Sequence, residues 1–262
     1  MTEQTEIQTM PELPPEVQAL MEAAAQKIAS EENSGIPFIS LKGKKFSIGD
    51  EKVGYKDDKL GLAIRCVIVA TAFDFTWYDR SYDPSNEDFN PPACFAIGGV
   101  QDDLVPHEDS PIPQCSNCLD CPMNQFKSAA NGKGKACRNG RRLLVAYVND
   151  DGSADLENLA ILSLSPTALR GFSSYLKKVS VVKGLPIWSV VTILSFEQEQ
   201  AYPQVIATFD GVLAHNMAGQ ASLIEISQRL DEFQSSVSTP YDTSSFVAYQ
   251  PKASSEKKSK MS

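Results

Sequence analysis

The sequence predicts a mainly β fold with peripheral helices, built on an antiparallel barrel that carries a cysteine-rich insertion. Strand-sized runs of β-forming residues, bounded by turn residues, recur along the 262 residues. The clearest helix lies between the middle and the last strands, where the five-stranded Greek-key barrel of the oligonucleotide-binding (OB) type has its helix. Four of the six cysteines cluster between early strands, which indicates an insertion in a loop. An α+β sandwich also fits this order of elements.

The first predicted elements are a helix and two strands. Residues 1–35 begin as a polar, proline-punctuated tail and continue from Pro15 as an amphipathic helix, because apolar residues recur at i, i+3, i+4 and i+7. Phe38–Ile48 alternates apolar and basic residues, which predicts a strand with a bend at Gly43. Leu62–Ala72 is almost continuously apolar, which predicts a central strand.

The later elements are two helices and five more strands. A helix is predicted from Pro166 to near Gly184, because Ser165 is a good N-cap residue and proline suits the first helical position. Met217–Phe233 predicts a last amphipathic helix. The remaining strands are predicted at Cys94–Ile97, Leu143–Val148, Leu159–Leu164, Ile187–Phe196 and Gln204–Leu213, the last two forming a hairpin.

These elements divide the chain into four parts. An acidic tail and helix occupy residues 1–35, and an OB-like core occupies residues 36–215, with the insertion at about 94–142. A C-terminal helix follows at 216–236. The last part, 237–262, is rich in Ser and Thr and then in Lys, and this composition predicts disorder.

Composition places the protein among globular proteins and excludes a membrane helix. The chain is 42% hydrophobic and 22% charged, and no run approaches the roughly 18 apolar residues of a membrane span. The N-terminus lacks the basic start and the apolar core of a signal peptide. We therefore expect a cytoplasmic protein. In a reducing compartment, six cysteines are better explained by metal or redox chemistry than by disulfides.

Four cysteines have the spacing of metal ligands. Two-residue spacings let neighbouring thiolates in a turn converge on one ion, and a distant fourth thiolate completes a tetrahedron, which predicts a closed structural zinc site. A run of this kind followed by proline, here Pro122, is also typical of four-iron clusters, so an iron–sulfur cluster is the alternative. Cys94 or His107 could replace one ligand, most easily Cys115. The predicted ligands are Cys115, Cys118, Cys121 and Cys137, spaced C-x2-C-x2-C-x15-C.

A basic segment overlaps the cysteines in an otherwise acidic chain. Between Met123 and Asn149 there are six basic residues and no acidic one, so the rest of the chain carries a formal charge of about −15 against −9 overall. Phe73–Tyr82 contains five aromatic residues, which could stack on unpaired bases. The predicted polyanion-binding residues are Lys127, Lys133, Lys135, Arg138, Arg141 and Arg142, together with Phe73, Phe75, Trp77, Tyr78 and Arg80.

The sequence contains no catalytic pattern. The glycines at 131–135 do not form a nucleotide phosphate loop, because no glycine lies five residues before Gly134 and no Ser or Thr follows Lys135. Neither His107 nor His215 lies beside a nucleophile motif, and neither G-x-S-x-G nor H-E-x-x-H occurs. We therefore expect a protein that is not an enzyme.

Several strings between Pro92 and Arg142, and one beyond them, are distinctive in combination: PACF, CLDCPMNQFKSA, GKGKACRNGRRL and LSPTALRGFSSYLKKV. They resemble a group of bacteriophage single-stranded DNA-binding proteins of replication or recombination, and the resemblance covers about residues 35–215. It implies an OB-type barrel with an embedded metal knuckle, which coats unwound DNA in the host cytoplasm.

Two points stay open at the level of sequence. The C-terminus, KASSEKKSKMS, departs from the acidic tail by which many such proteins recruit replication or recombination partners. The alternative function is a metal-stabilised adaptor that docks on a replication or transcription enzyme, with the acidic N-terminal helix as its contact.

Overall fold

The computed structural model of the protein describes residues 35–80 and 90–248. From Phe38 onward these residues belong to one compact unit. The helix predicted within residues 1–35 lies outside the described residues, which begin at Gly35. The strands are β1 (Phe38–Ile39), β2 (Ser47–Ile48), β3 (Glu51–Lys52), β4 (Tyr55–Asp57), β5 (Gly61–Trp77), β6 (Cys94–Gly98), β7 (Arg138–Val148), β8 (Ala154–Leu164), β9 (Val190–Phe196) and β10 (Val205–Val212).

Three α-helices lie within residues 35–80 and 90–248. The predicted helix that follows β8 is α1 (Pro166–Lys177), which continues as a π-helical turn at Lys178–Val182. Proline occupies its first turn as predicted, but the Ser165 side chain makes no capping hydrogen bond. The predicted C-terminal helix is divided near Arg229 into α2 (Met217–Gln228) and α3 (Leu230–Val237).

Eight strands form one mixed sheet, and β2 and β3 form a separate hairpin. The strand order is β1-β8-β7-β5-β9-β10, and β4 and β6 also pair with β5. The pairings within the sheet are antiparallel except for β1, which is parallel to β8. The predicted mainly β character, the central strand and the β9–β10 hairpin are confirmed.

The predicted closed barrel is wrong, because the sheet is open. Its order ends at β1 on one side and β10 on the other, and within the described part of the chain these strands do not pair with each other. The cause is the length of β5, which has 17 residues. Along one edge it pairs with β9 at Ala63–Val67 and with β6 at Phe73–Trp77. Successive partners on one edge extend the sheet along β5 instead of curling it into a barrel.

The two faces of the sheet are covered by different elements. On one face, named the front face, α1 packs against a core that includes Leu143 and Leu162. On the back face, α3 packs against β5 and β7. Successive side chains of a strand point to opposite faces. Accordingly the Arg141 guanidinium contacts Phe172 of α1, and the Arg142 guanidinium donates to the carbonyl oxygen of Thr239, which follows α3.

The chain after α3 is hydrogen-bonded to two loops, whereas the sequence predicts disorder from residue 237. Thr243 Oγ1 donates to the carbonyl oxygen of Asp109 at 3.1 Å, and the Val247 amide donates to Asn90 Oδ1 at 3.1 Å. The segment 239–248 is named the C-terminal strap, and its Tyr241 hydroxyl reaches Asp74 on the back face. Residues 249–262 of the predicted tail lie outside the described residues.

A buried polar cluster holds the C-terminal strap to the sheet. Arg142, 1% exposed, pairs with Asp74, with 3.3 Å between Nε and Oδ2. The Tyr241 hydroxyl donates to the same Asp74 oxygen at 2.7 Å, and its ring centroid lies 4.5 Å from the Arg142 guanidinium carbon. Tyr241 also contacts Phe95 edge-on, with centroids 5.2 Å apart. Strap and sheet thus share one ion pair.

Tyr241 links stability to alkaline pH. Burial, and then the Asp74 carboxylate, raise the pKa of the Tyr241 phenol, so the folded protein holds this proton more tightly than the unfolded chain does. The contribution is complete below the unfolded pKa of about 10 and is lost as pH rises toward the higher folded value. In urea unfolding, we expect Tyr241→Phe to lose about 1–2 kcal/mol at pH 7 and to show a shallower decline above about pH 10.

Tyr202→Phe is the control for this prediction, because Tyr202 is 45% exposed. We expect its stability and its alkaline decline to match those of the wild type. If the Tyr241→Phe and wild-type stability curves remain parallel above pH 10, Tyr241 does not contribute to the alkaline limb.

Candidate functional site

Five cysteines, rather than the four predicted, line one small cavity under the front face of the sheet. The fifth is Cys94 of β6, which pairs with Trp77 at the end of β5. The remaining cysteine, Cys66, is fully buried in the main core. His107, which was predicted as a possible substitute ligand, is not among the residues that line the cavity. It stacks on Phe95, with ring centroids 5.0 Å apart. The cysteines of the cavity are Cys94, Cys115, Cys118, Cys121 and Cys137.

The donor set suits a thiophilic metal, although no coordination shell is preformed. In residues 35–80 and 90–248, no group of three or more His, Cys, Asp or Glu side chains is arranged to hold a metal ion. The cavity between the thiols nevertheless measures about 10 Å³, which is room for one water-sized or ion-sized occupant. Five soft sulfur donors around such a volume match the preference of zinc for thiolate ligands, with one thiol in excess.

The thiols strongly affect one another. Burial, followed by the neighbouring thiols, raises the pKa of Cys118 and of Cys137 to about 12. Burial is also the largest cause that raises the pKa of Cys115 to about 12, and it raises the pKa of Cys94. Such thiols stay protonated at neutral pH unless a cation offsets the charge of the thiolates.

The backbone of the cysteine knuckle, residues 115–137, is held by hydrogen bonds to the loop after β6, within the knuckle and from the buried Asn124 side chain. The Cys118 amide donates to the Leu104 carbonyl at 2.9 Å, and Asn124 Nδ2 donates to the Cys118 carbonyl at 2.6 Å. The Cys137 amide donates to the Met123 carbonyl at 2.7 Å, which closes the knuckle. Phe75, Ala96, Leu104 and Cys118 form a small apolar cluster beneath it.

The knuckle projects a basic loop, residues 126–135, into solvent. Lys127 and Lys133 are exposed. Phe126 at its start is 78% exposed, and the Lys135 ammonium lies 5.5 Å from the centroid of its ring. Lys127 has φ = 74°, a left-handed conformation that is costly for a residue other than glycine. An exposed aromatic ring and three lysines therefore lie on one constrained loop.

Two basic residues connect this loop to β7. Lys135 Nζ donates to Asn124 Oδ1 at 3.0 Å and to Asn139 Oδ1 at 3.1 Å, so this side chain ties the loop to β7. Arg138, the first residue of β7, is exposed. The structure thus brings Lys135 and Arg138 together with the basic loop.

Arg141 lies on the front face between the knuckle and α1. Its guanidinium carbon is 4.6 Å from the Phe73 ring centroid and 5.7 Å from that of Phe172. Nη2 donates to Thr71 Oγ1 at 2.8 Å. Burial lowers its pKa, without preventing the guanidinium from being charged at neutral pH. The half-buried Phe73 and Arg141 together form a floor between knuckle and helix.

Arg142 does not belong to this basic surface, contrary to the prediction. It follows Arg141 in the strand, so it points to the back face, where it is buried against Asp74 and Tyr241. Its charge is offset by Asp74 and is inaccessible to a polyanion.

The aromatic segment does not form the predicted stacking surface as a whole. Phe75 is buried under the knuckle, and Trp77 lines the cysteine cavity. Tyr78 is 39% exposed. Arg80 is half-buried, and it donates to the carbonyl oxygen of Val247 in the C-terminal strap. Only Phe73 and Tyr78 of these aromatics are therefore candidates for contacts with a ligand on the surface.

Phe126 was missed at the sequence level, although a signal was present. It is a single aromatic residue directly before Lys127, inside the acid-free basic segment. The density of aromatic residues at 73–82 drew the prediction there instead, but Phe75 is buried and Trp77 lines the cysteine cavity. An isolated aromatic residue in a loop rich in Gly and Lys has no core to join, and this distinguishes it.

Comparison with family models, with curated proteins and with solved structures gives no match to this chain. No helix in the described residues combines the length and the apolar composition that a membrane span requires.

Proposed function

We propose that the protein binds single-stranded DNA without strong sequence preference, in phage replication or recombination, and that the basic loop of the knuckle is the primary contact. Four cations, Lys127, Lys133, Lys135 and Arg138, are suited to phosphates. Phe126 is suited to stack on an unpaired base, because the face of every base is equally acceptable to an aromatic ring. The resemblance of the knuckle and α1 strings to phage single-stranded DNA-binding proteins agrees with this function.

The observation that carries the proposal is the exposure of Phe126. A ring that is 78% exposed gains nothing from burial in the folded chain. Lys135, one of the cations around it, is itself held in place by two hydrogen bonds. Lys127 keeps a left-handed backbone that glycine would adopt more easily, and strain of this kind is concentrated at functional sites.

The metal has a structural role in this proposal. Cysteines of the knuckle together with Cys94 would hold one zinc ion, and zinc when bound supplies a fixed crosslink between the knuckle and the sheet. An iron–sulfur cluster held by the same cysteines is the alternative. The knuckle in turn fixes the direction in which the basic loop points.

Phe126→Ala tests the contact directly. Because stacking on one base is worth about 1–3 kcal/mol, we expect the affinity for a fluorescent oligothymidylate to fall about tenfold at low salt. The wild-type affinity should fall steeply with salt, with a log–log slope of about −3 if the four cations each meet a phosphate. The slope of the variant should be unchanged, since no charge is removed.

Tyr202→Ala provides the matched control, because it removes an exposed aromatic residue from the β9–β10 turn, and it should bind like the wild type. Absence of wild-type binding at low salt, with metal fully loaded, would rule out the proposed function. A tight protein partner together with that absence would support the adaptor alternative.

A further inference from the structure

A second basic groove lies on the front face, between α1 and the edge strand β10. Lys178 and Lys183 lie along it, Phe209 of β10 contributes to its floor, and Gly171 of α1 forms part of its wall. Its volume is about 360 Å³. No acidic residue occurs among the described residues that line it. The groove thus combines cations, an aromatic ring and open space.

The region around this groove, like the knuckle, contains basic residues and a long stretch without acidic ones. Residues 158–196 contain no Asp or Glu but include Arg170, Lys177, Lys178 and Lys183. All four are exposed. The Lys183 ammonium lies 4.2 Å from the Phe209 ring centroid, so the ring holds this cation at the groove. In a protein of net charge −9, a second acid-free basic surface indicates a polyanionic ligand.

The groove and the knuckle share one face of the sheet. Arg141 connects them, because its guanidinium contacts both Phe73 beneath the knuckle and Phe172 in α1. The Thr192 hydroxyl is 2.6 Å from the Tyr175 hydroxyl of α1, so Thr192 points to the front face. Phe209 pairs with Thr192 and therefore points to the front face as well. From β7 to β10 there are three strand spacings, or about 14 Å. Phe209 is in line with Tyr147, which lies nine residues from Arg138 along β7, or about 30 Å. The diagonal from Arg138 to Phe209 is therefore roughly 33 Å, so only a strand of more than a few nucleotides reaches from the knuckle to the groove.

We propose that this groove is a second contact for the same single-stranded DNA, so that the strand runs from the basic loop past Arg141 and α1 to Lys178 and Lys183. The inference rests on the proposed function and extends it, because it assigns to the protein a longer footprint than the knuckle alone could cover. Lys178 and Lys183 bind phosphates, and the missing side chain of Gly171 leaves the groove open for the backbone of the strand.

Gly171 allows a test that leaves the two lysines in place. A Cβ atom built at this position meets no atom within 4 Å, so a longer side chain fits without a clash. Gly171→Glu introduces a carboxylate beside Lys178 and Lys183, and Gly171→Gln introduces the same length without charge. Both substitutions also improve helix propensity, so neither should prevent folding.

The experiment compares the affinities of the three proteins for oligothymidylates of about 5 and about 20 nucleotides, at about 50 mM salt. We expect the Glu variant to bind the long oligomer about five- to tenfold more weakly than the Gln variant, because a like charge repels the phosphates. The short oligomer, which can occupy the knuckle alone, should bind all three proteins equally. Lys178→Ala/Lys183→Ala should in addition reduce the salt slope for the long oligomer by about 1.4.

Two results separate failure of this inference from failure of the proposed function. If the wild type binds neither oligomer, the proposed function fails and the groove proposal fails with it. If the wild type binds the long oligomer more tightly than the short one, but the Glu and Gln variants bind the long oligomer equally, the groove is not part of the footprint. Lys52→Ala/Lys56→Ala, which removes two exposed charges from β3 and β4, controls for net charge.

Discussion

Replacing Cys121 by serine is expected to remove the bound metal and to unfold the cysteine knuckle. Cys121 is buried and lines the cavity with four other thiols. A serine hydroxyl is a poor zinc ligand, and metal binding of this kind contributes directly to folding, by about 10–16 kcal/mol in isolated zinc fingers. Elemental analysis should find one zinc per wild-type chain and almost none in the variant. DNA affinity should fall by about tenfold or more, because the basic loop loses its fixed orientation.

Cys66→Ala is the matched control, since Cys66 is fully buried but lies in the main core away from the cavity. We expect it to retain the metal and to lose only about 1 kcal/mol of stability.

Elemental analysis also decides which of the five thiols is not a metal ligand. Cys94→Ser and Cys115→Ser should differ, one losing the metal and the other retaining it. A Cys121→Ser protein with full metal content and DNA affinity would contradict ligation, and iron in place of zinc would support the cluster.

The second large effect is expected at the buried ion pair. Arg142→Met should destabilise the protein by about 3–5 kcal/mol in urea unfolding, because it leaves the Asp74 carboxylate buried without its cation. Among the described residues, Asp74 Oδ1 and Arg142 Nη2 already have no hydrogen-bond partner, so the cluster has no spare donor that could replace the guanidinium. The C-terminal strap should detach as well, since Arg142 donates to Thr239.

The neighbouring residue supplies the control. Arg141→Met changes the same side chain one position earlier, on the half-exposed front face, and should cost no more than about 1 kcal/mol. Asp74→Leu/Arg142→Met should recover most of the lost stability, because an apolar pair of similar volume often replaces a buried ion pair without net cost. Equal losses for Arg141→Met and Arg142→Met would contradict the assignment of opposite faces.

Much of the fold was predictable because local patterns decide it. The apolar run Leu62–Ala72 could satisfy its side chains only as a buried strand, and the helix after Ser165 has proline in its first turn, apolar residues on one side and basic residues on the other. The open sheet was not predictable, since it depends on how far β5 continues. Phe73–Trp77 extends the strand because β-forming residues alternate there with Asp74 and Thr76, a pattern that was interpreted as a binding surface.

The site was predictable in its chemistry but not in its composition. Cysteine spacing identified four of the five thiols, and Cys94 could be suggested only as a substitute, because it comes from a separate strand. The sequence prediction assigned both Arg141 and Arg142 to the basic surface, although adjacent residues of a strand point to opposite faces. The C-terminal strap was missed because its contacts are hydrogen bonds and single aromatic rings, which leave no periodic pattern in a sequence.

The length of β5 also determines how unfolding is divided within the molecule. One end of this strand is bonded to β9 in the main core, and the other end to β6, from which the chain enters the knuckle before returning as β7. We therefore expect the two ends of this strand to lose amide protection separately. Loss of metal should release amide protection at Phe73–Trp77 while Ala63–Val67 stays protected. Conversely, a ligand that orders the knuckle should also order Phe73 and Arg141 next to α1. The first nucleotides bound at the knuckle would then strengthen the binding of the following nucleotides near α1.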